Sequence, residues 1–153
     1  MTVLRVSFLG IGQKSPDSLG PPQVNTRTLC AVQRFQCYYC KQTMALPAHQ
    51  WAAQQDNHAT LEHLLPRSEG GTYDAHNIRA ACRLCNTLRG TKHLSWFKEF
   101  IEDLRQRTTL INRWHQLLPI ERHLVFQVCN LRYNSWDHDR KDRARHTLRN
   151  QPG

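Results

Sequence analysis

Apolar residues at helical spacing dominate the second half of the chain and predict three amphipathic helices. The first stripe comprises Trp96, Phe97, Phe100, Ile101 and Leu104. The second comprises Leu110, Ile111, Trp114, Leu117 and Leu118, and the third comprises Ile120, Leu124, Val128 and Leu131. Ser95 suits the N-cap of the first helix, and Pro119 ends the second stripe. Because burying such faces is the ordinary source of helix stability, we expect all three stripes to face the core.

Residues 135–150 follow these stripes and are polar on every side, which predicts a solvated helix or a frayed tail. Asp137 and Lys141 have i,i+4 spacing, as do Asp139 and Arg143. In both pairs the acid precedes the base, which is the favourable order on a helix.

The amino-terminal residues carry weaker signals. Val3, Val6 and Phe8 suggest a strand, and residues 10–22 are rich in Gly, Pro and Ser, which predicts a loop or arm. The first apolar stretch is interrupted by charged and polar residues and lacks a cleavage site, so we do not expect a signal peptide. Three regions are predicted: an arm over residues 1–30, a central domain over 31–93 and a helical extension with a basic tail over 94–153.

Composition narrows the class of protein. A chain of 153 residues, with 39% hydrophobic and 22% charged residues, is typical of one globular domain. No apolar run approaches the roughly 20 residues that a membrane-spanning helix needs. The formal net charge of +9 favours a polyanionic partner, such as DNA, RNA or an anionic lipid surface, over a merely basic protein.

The six cysteines are unevenly placed, and four of them form two Cys-x-x-Cys pairs, Cys37/Cys40 and Cys82/Cys85. Each pair presents two thiolates from one turn, so two pairs can complete a tetrahedral cage for structural zinc. The alternatives are four reduced cysteines that merely pack, or a redox motif, which needs only one pair in a βαβ context. Without a signal peptide we expect a reducing cytoplasm, with Cys30 and Cys129 as buried free thiols.

The segment between the two pairs contains the candidate catalytic residues. It includes a Glu62-His63 dipeptide, Pro66, a Gly-Gly loop at residues 70–71 and Asn77, and Asn86 directly follows Cys85. This order and spacing resemble an HNH endonuclease of the ββα-metal class with flanking zinc knuckles. The resemblance implies an α+β fold: a ββα-metal core, a structural zinc site and an α-helical extension. It also implies a short second strand near residues 78–81 and a helix that starts around Arg83.

The same resemblance implies a role for each motif residue. His63 would be the general base, Asn77 would hold the loop and orient that histidine, and Asn86 and Glu62 would bind a catalytic ion. Glu62 stands where the family commonly has Asp, and Asn86 stands where it commonly has His. A neutral oxygen ligand at Asn86 favours a hard ion such as Mg²⁺ or Mn²⁺.

Each motif residue taken alone has an ordinary structural explanation. His63 could be a core histidine beside a surface acid, and Asn77 could form an Asx turn or a cap. Strict alternation along a strand would put Glu62 and His63 on opposite faces. The strand end must therefore be irregular if both side chains reach one site.

Nearby cations are candidates for binding backbone phosphates. They are Arg67, Arg83, Arg89 and Lys92. We expect a metal-dependent nuclease that acts on DNA rather than RNA, with a possible protein partner that targets or regulates it. Short HNH chains of this kind resemble phage, restriction and defence nucleases. The rival hypotheses are a zinc-dependent nucleic-acid-binding module with a degenerate HNH site, and an adaptor whose basic helices dock a larger protein.

Overall fold

A computed structural model describes residues 25–49 and 54–149. The strand and loop predicted within residues 3–22 lie outside the described residues. The helices are α1 (Thr26–Val32), α2 (Arg83–Arg89), α3 (Leu94–Arg107) and α4 (Pro119–Arg149), and the strands are β1 (Ala59–His63) and β2 (Ile78–Cys82). Short 3₁₀ turns occupy Arg67–Glu69 and Leu110–Gln116. This arrangement confirms the predicted α+β class.

The two strands form an antiparallel hairpin that leads directly into α2. Ala59 pairs with Cys82 at one end, and His63 pairs with Ile78 at the other. The predicted second strand is confirmed, and α2 begins at Arg83 as predicted. The pairing is regular through His63, so β1 lacks the irregularity that would bring Glu62 and His63 to one site.

The core lies between the first cysteine turn, the hairpin and α3. The Tyr39 ring packs edge-on against Phe97, with 4.9 Å between the ring centroids. Phe97 is fully buried, and burying such a side chain stabilises a fold by roughly 1.5–3 kcal/mol. Cys30 and Cys129 are also fully buried free thiols, which confirms the prediction for them.

Helix α3 buries its predicted stripe, but it begins earlier than expected. Its N-cap is His93 rather than Ser95, and no side chain caps it. The Ser95 hydroxyl instead lies 3.0 Å from His93 Nδ1. Trp96 and Phe100 stack on the buried side, so the predicted inward face of this helix is confirmed.

The second stripe forms a 3₁₀ turn in place of an α-helix. Its inner residues are buried as predicted, namely Ile111, Trp114 and Leu117. Leu118 is 60% exposed and follows the turn, immediately before Pro119 begins α4.

The prediction for the third stripe is wrong. Its four residues, Ile120, Leu124, Val128 and Leu131, are 45–70% exposed. Helix α4 instead turns a neighbouring row inward, with Val125 and Cys129 buried and Tyr133 packed edge-on against Trp96. Aromatic side chains bury more area than aliphatic ones. The row of α4 that ends in Tyr133 therefore packs against α3 in place of the predicted stripe.

The polar end of α4 is a solvated helix. Of the two predicted alternatives, a solvated helix and a frayed tail, the first is confirmed. Asp137 binds Lys141 one turn later at 2.6 Å, and Arg140 donates to the same carboxylate. In the described ranges, no helix combines the length and the apolar composition needed to cross a membrane.

Candidate active site and metal centre

The four paired cysteines converge in one buried cluster. The Sγ atoms of Cys37, Cys40, Cys82 and Cys85 all lie within 4.8 Å of one another. Cys40 Sγ and Cys82 Sγ are 3.8 Å apart. Zinc with ligands at about 2.3 Å in a tetrahedron separates its sulfur atoms by about the same distance. The cluster is therefore compatible with a structural zinc ion.

Local backbone geometry prepares both cysteine turns for this cluster. Lys41 adopts a left-handed conformation at φ +62° and closes the first turn with a 3.1 Å bond from its amide to Cys37 O. The Cys82 amide donates to Cys37 Sγ at 3.3 Å, which links the two turns. Since Cys82 ends β2 and caps α2, the cluster also fixes the hairpin and the helix.

The helical extension contacts this metal centre. Trp114 is fully buried, and its indole Nε1–H donates to Cys85 Sγ at 3.2 Å. A donor at a thiolate offsets part of the negative charge that four cysteine ligands gather. The residues after the cysteine pairs therefore take part in the centre.

Two glycines shape the loop that follows β1. Gly70 has φ +88°, a conformation that disfavours residues with a side chain. A Cβ on Gly71 would lie only 1.8 Å from Leu65 O, so the backbone passes there without room for one. The Gly-Gly pair thus lets the loop fold back on itself.

Asn77 holds this loop by three hydrogen bonds. Its Oδ1 accepts from the Leu65 amide at 2.7 Å. Its Nδ2 donates to Leu65 O at 3.2 Å and to Thr72 O at 2.9 Å. The side chain is 7% exposed, so these bonds are shielded from water. These contacts are those of a loop-holding residue, and none of them reaches the His63 ring.

His63 ends β1 with a partly buried imidazole. Its ring packs edge-on against Tyr73, with 4.7 Å between centroids. Nε2 is buried and has no hydrogen-bond partner among the described residues. Partial burial lowers the pKa of His63, and the Arg67 guanidinium lowers it further. A neutral imidazole with an unpartnered nitrogen can accept a proton.

Glu62, the preceding residue, is 2% exposed, and one of its two carboxylate oxygens has hydrogen-bond partners within the fold. Its Oε1 accepts from the Tyr39 hydroxyl at 2.7 Å and from the Arg89 guanidinium. Burial raises the pKa of the Glu62 carboxyl, while the bonds from Tyr39 and Arg89 oppose the rise. A carboxylate that binds a catalytic ion is usually not paired with a cation of the protein. Glu62 is paired with Arg89. Its role as a metal ligand therefore stays a prediction that its contacts disfavour.

Helix α2 carries Asn86 and Arg89 against the Glu62 side of the hairpin. Asn86 Nδ2 donates to Thr60 Oγ1 at 2.8 Å and to Leu61 O at 3.1 Å. Its Oδ1 accepts no hydrogen bond from any described residue. Asn86 is thus held against β1 with a free acceptor oxygen.

Arg89, the last residue of α2, is buried. The side chain is 2% exposed, and besides Glu62 it donates to His63 O at 2.6 Å and Leu64 O at 2.7 Å. A guanidinium with these acceptors has little capacity left for a backbone phosphate. Phosphate binding by Arg89 therefore stays a prediction that its contacts disfavour.

The other predicted cations have different surroundings. Arg67 is exposed, with its guanidinium 5.5 Å from the Tyr73 ring centroid. Arg83 pairs with Asp56 at 3.8 Å and keeps a side chain that is 40% exposed. Lys92 Nζ donates to Leu88 O at 2.9 Å and lines a cleft of about 640 Å³. Arg89 and Arg140 also line this cleft, so three cationic residues and one acid, Glu69, border one depression.

Comparison with known proteins then identifies the segment that holds these residues. Residues 37–100 match the HNH endonuclease family. The HNH segment contains both cysteine pairs, His63, Asn77 and Asn86, and it runs into α3, beyond the predicted central-domain boundary at residue 93. This match confirms the resemblance for that segment of the chain. No curated protein and no solved structure matches the chain.

Sequence reasoning missed three residues that shape the HNH segment. Tyr39 and Tyr73 contact Glu62 and His63, and Trp114 contacts Cys85. Tyr39 lies between Cys37 and Cys40, and Trp114 belongs to the second apolar stripe. In both places an aromatic residue predicts packing before it predicts a hydrogen bond. The Tyr–Asp step after the Gly-Gly loop gave no signal that its ring would cover a histidine.

Proposed function

We propose that this protein is a nuclease that hydrolyses phosphodiester bonds, with DNA as the substrate class and His63 as the general base. The observation that carries the proposal is the position of His63, at the end of β1, within a segment that matches the HNH endonuclease family. The net charge of +9 supports a nucleic-acid substrate. The predicted cytoplasmic location and a targeting partner belong to the same proposal.

The proposed chemistry at His63 is a proton transfer. The imidazole accepts a proton from a water molecule at the ring nitrogen that solvent reaches, while the water oxygen attacks phosphorus. The bond to the leaving oxygen then breaks, and that oxygen takes up a proton from solvent. General-base catalysis of this kind contributes about 10²–10⁴-fold to the rate. Asn77 contributes by holding the loop that follows the base.

A catalytic Mg²⁺ or Mn²⁺ ion is the part of the proposal that fits the donor set least well. Asn86 offers a free amide oxygen, but the Glu62 carboxylate is bound by Arg89. Hard cations are held by carboxylate oxygen in most protein sites. We therefore derive no catalytic step through this ion. When bound, it would supply charge stabilisation at the phosphate.

The test is plasmid cleavage by the purified protein beside two matched variants. His63→Ala should lose cleavage, whereas His123→Ala, an exposed histidine on α4, should cleave like the parent. Mg²⁺ or Mn²⁺ is added back after a brief EDTA treatment, with zinc content measured in parallel. Equal cleavage by both variants would remove His63 from the mechanism.

A second candidate function is a nucleic-acid-binding module whose HNH site is degenerate. The observation that favours it is the Glu62–Arg89 pair, which occupies the only carboxylate assigned to the catalytic ion. Salt-dependent DNA binding without cleavage, in Mg²⁺ and in Mn²⁺, would support this candidate over the nuclease.

A further inference from the structure

Three cations surround one tyrosine on the first cysteine turn. The Lys41 Nζ, the Arg79 guanidinium and the Lys98 Nζ lie 5.3, 5.9 and 5.6 Å from the Tyr38 ring centroid. They come from three parts of the fold: the turn itself, β2 and α3. We call these four residues the Tyr38 cluster.

The folded chain holds this cluster in place. The Tyr38 amide donates to Ala80 O at 3.0 Å, which ties the turn to β2. Lys41 Nζ donates to Tyr38 O at 2.6 Å, and Arg79 donates to Ala75 O and Ile78 O at 2.9 and 2.7 Å. Hydrogen bonds to the backbone therefore hold Lys41 and Arg79 in place, while Lys98 approaches the ring from α3.

The cluster contains no ion pair among the described residues. In the described ranges, none of its three cations forms an ion pair with a carboxylate, in contrast to Arg83, Arg107 and Arg132. Lys41 and Lys98 are exposed, and Tyr38 and Arg79 are half-buried. Like charges held within about 12 Å of one another repel, and the face of one ring offsets only part of that repulsion. An anionic partner would offset the rest.

The cluster lies apart from the candidate catalytic histidine. Arg79 is the cross-strand partner of Glu62, so the two share a face of the hairpin. Alternation puts His63 on the other face, where its ring meets Tyr73. The cluster would therefore contact a different part of a partner than His63 does.

We propose that the Tyr38 cluster is a second binding surface for the nucleic-acid backbone, an inference that rests on the proposed function. A duplex carries one negative charge per about 1.7 Å of axis, so a 12 Å span offers about seven phosphates to these cations. Cations combined with an aromatic ring are also typical of surfaces that follow single strands. An acidic protein partner is the competing occupant.

The test measures binding without cleavage, in a His63→Ala background. Fluorescence anisotropy with a labelled duplex is recorded from 50 to 200 mM salt for the parent and for Lys41→Gln/Arg79→Gln/Lys98→Gln. Three lost phosphate contacts should reduce the slope of log K against log salt by about 2–3. The ratio of parent to variant affinity should then be about 40-fold larger at 50 mM than at 200 mM.

A charge-matched control separates the cluster from net charge. The variant Arg107→Gln/Arg132→Gln/Lys141→Gln removes three cations that are paired with carboxylates, and it should change the slope by less than 1. Tyr38→Leu should weaken binding several-fold at constant charge, while Tyr38→Phe should not. If the Arg79 change prevents folding, Lys41→Gln/Lys98→Gln should still lower the slope by about 2.

An unchanged slope in a folded cluster variant would overturn the inference, including the case in which the cluster captures an acidic protein. Wild-type plasmid cleavage is measured separately, so the two proposals fail independently. Cleavage by the parent together with an unchanged salt slope in the cluster variant supports the nuclease proposal and rejects the binding role of the Tyr38 cluster. A reduced slope without cleavage leaves the cluster and removes the nuclease.

Discussion

Glu62 and His63 are neighbours in the chain, yet the two faces at the end of β1 give them opposite surroundings. Glu62 is 2% exposed and accepts hydrogen bonds from a tyrosine and an arginine. His63 keeps a buried nitrogen with no partner among the described residues. A buried polar atom that the fold leaves unsatisfied costs stability. Arg89 Nε on the Glu62 face is also unpartnered, so the HNH family match, and not burial alone, is the reason to propose His63 as the base.

This difference separates a structural face from the face that we propose to be reactive. On the Glu62 face, Arg89 and Asn86 of α2 bind β1 through side chains. On the His63 face, the contacts are a ring edge and an exposed arginine. Adjacent positions in a motif can therefore serve different purposes, because strand alternation sends them to different environments.

Loss of zinc should have the largest effect, because unfolding of the domain would remove both faces of β1. Metal analysis should give about one zinc per chain. In Cys82→Ser, one ligand at the junction of β2 and α2 is lost, and metal binding in small zinc domains contributes roughly 10–16 kcal/mol to folding. We expect loss of the cooperative thermal transition by circular dichroism. A zinc-free preparation that melts like the parent would contradict a structural role for the metal.

Replacing His63 should abolish cleavage and leave the stability of the fold unchanged. His63→Ala should lower the cleavage rate by about 10²–10⁴-fold, because the proton acceptor is gone. Its melting temperature should stay near that of the parent, since the His63 Nε2 makes no hydrogen bond that would be lost. Single-turnover cleavage and calorimetry measure the two effects. Retained cleavage together with a large drop in stability would reverse the assignment of the two faces.

Replacing the residue on the structural face should lower stability first. In Glu62→Gln, the buried Arg89 loses its counter-ion, and breaking a buried pair costs about 3–5 kcal/mol. Urea unfolding measures the loss. Tyr39→Phe is the milder control, since it removes one neutral donor to Glu62, which is worth about 1 kcal/mol.

Glu62→Gln also tests the alternative, in which Glu62 serves catalysis rather than stability. If Glu62 is instead a metal ligand, Glu62→Gln should keep the parent's unfolding midpoint and lose Mg²⁺-dependent cleavage. Excess Mn²⁺ should then restore part of the activity, because Mn²⁺ binds such ligand sets more tightly than Mg²⁺.

The smallest effect concerns the pH dependence of the reactive face. Burial and then Arg67 lower the pKa of His63 from its ordinary value of 6.5. The base works when neutral, so kcat should rise with pH through a value below 6.5 and level off at neutrality. Arg67→Gln removes one cause and should move this acidic limb upward, while Arg83→Gln should leave it in place. A parent limb above 6.5 would contradict the described surroundings of His63.

The metal centre was the part of the site most open to prediction from the sequence. A Cys-x-x-Cys spacing forces two thiols onto one turn, so two such pairs need only one long-range approach to form the cage. The hairpin strand and the start of α2 followed from the family resemblance. The pairing of Glu62 with Arg89 did not, because it depends on how α2 packs on β1.

Helix α4 illustrates the other limit of prediction. Ile120, Leu124 and Val128 have as good a helical spacing as the row that is buried. Periodicity identifies a helix, but two apolar rows on one helix leave its rotation undetermined. The rotation is decided by the aromatic contacts of Tyr133 and Trp136 with α3, which are tertiary.

The Arg89 side chain binds three consecutive residues of the strand end: the Glu62 carboxylate and the carbonyl oxygens of His63 and Leu64. A single guanidinium thereby joins the last turn of α2 to the backbone beneath the catalytic candidate. Local opening of that strand end would separate the Arg89 guanidinium from all three acceptors. The buried charge would then be left without partners, which makes such opening costly. Amide protons around His63 and those of α2 should consequently exchange with solvent as one cooperative unit, so the candidate base moves with its helix rather than with the loop that follows it.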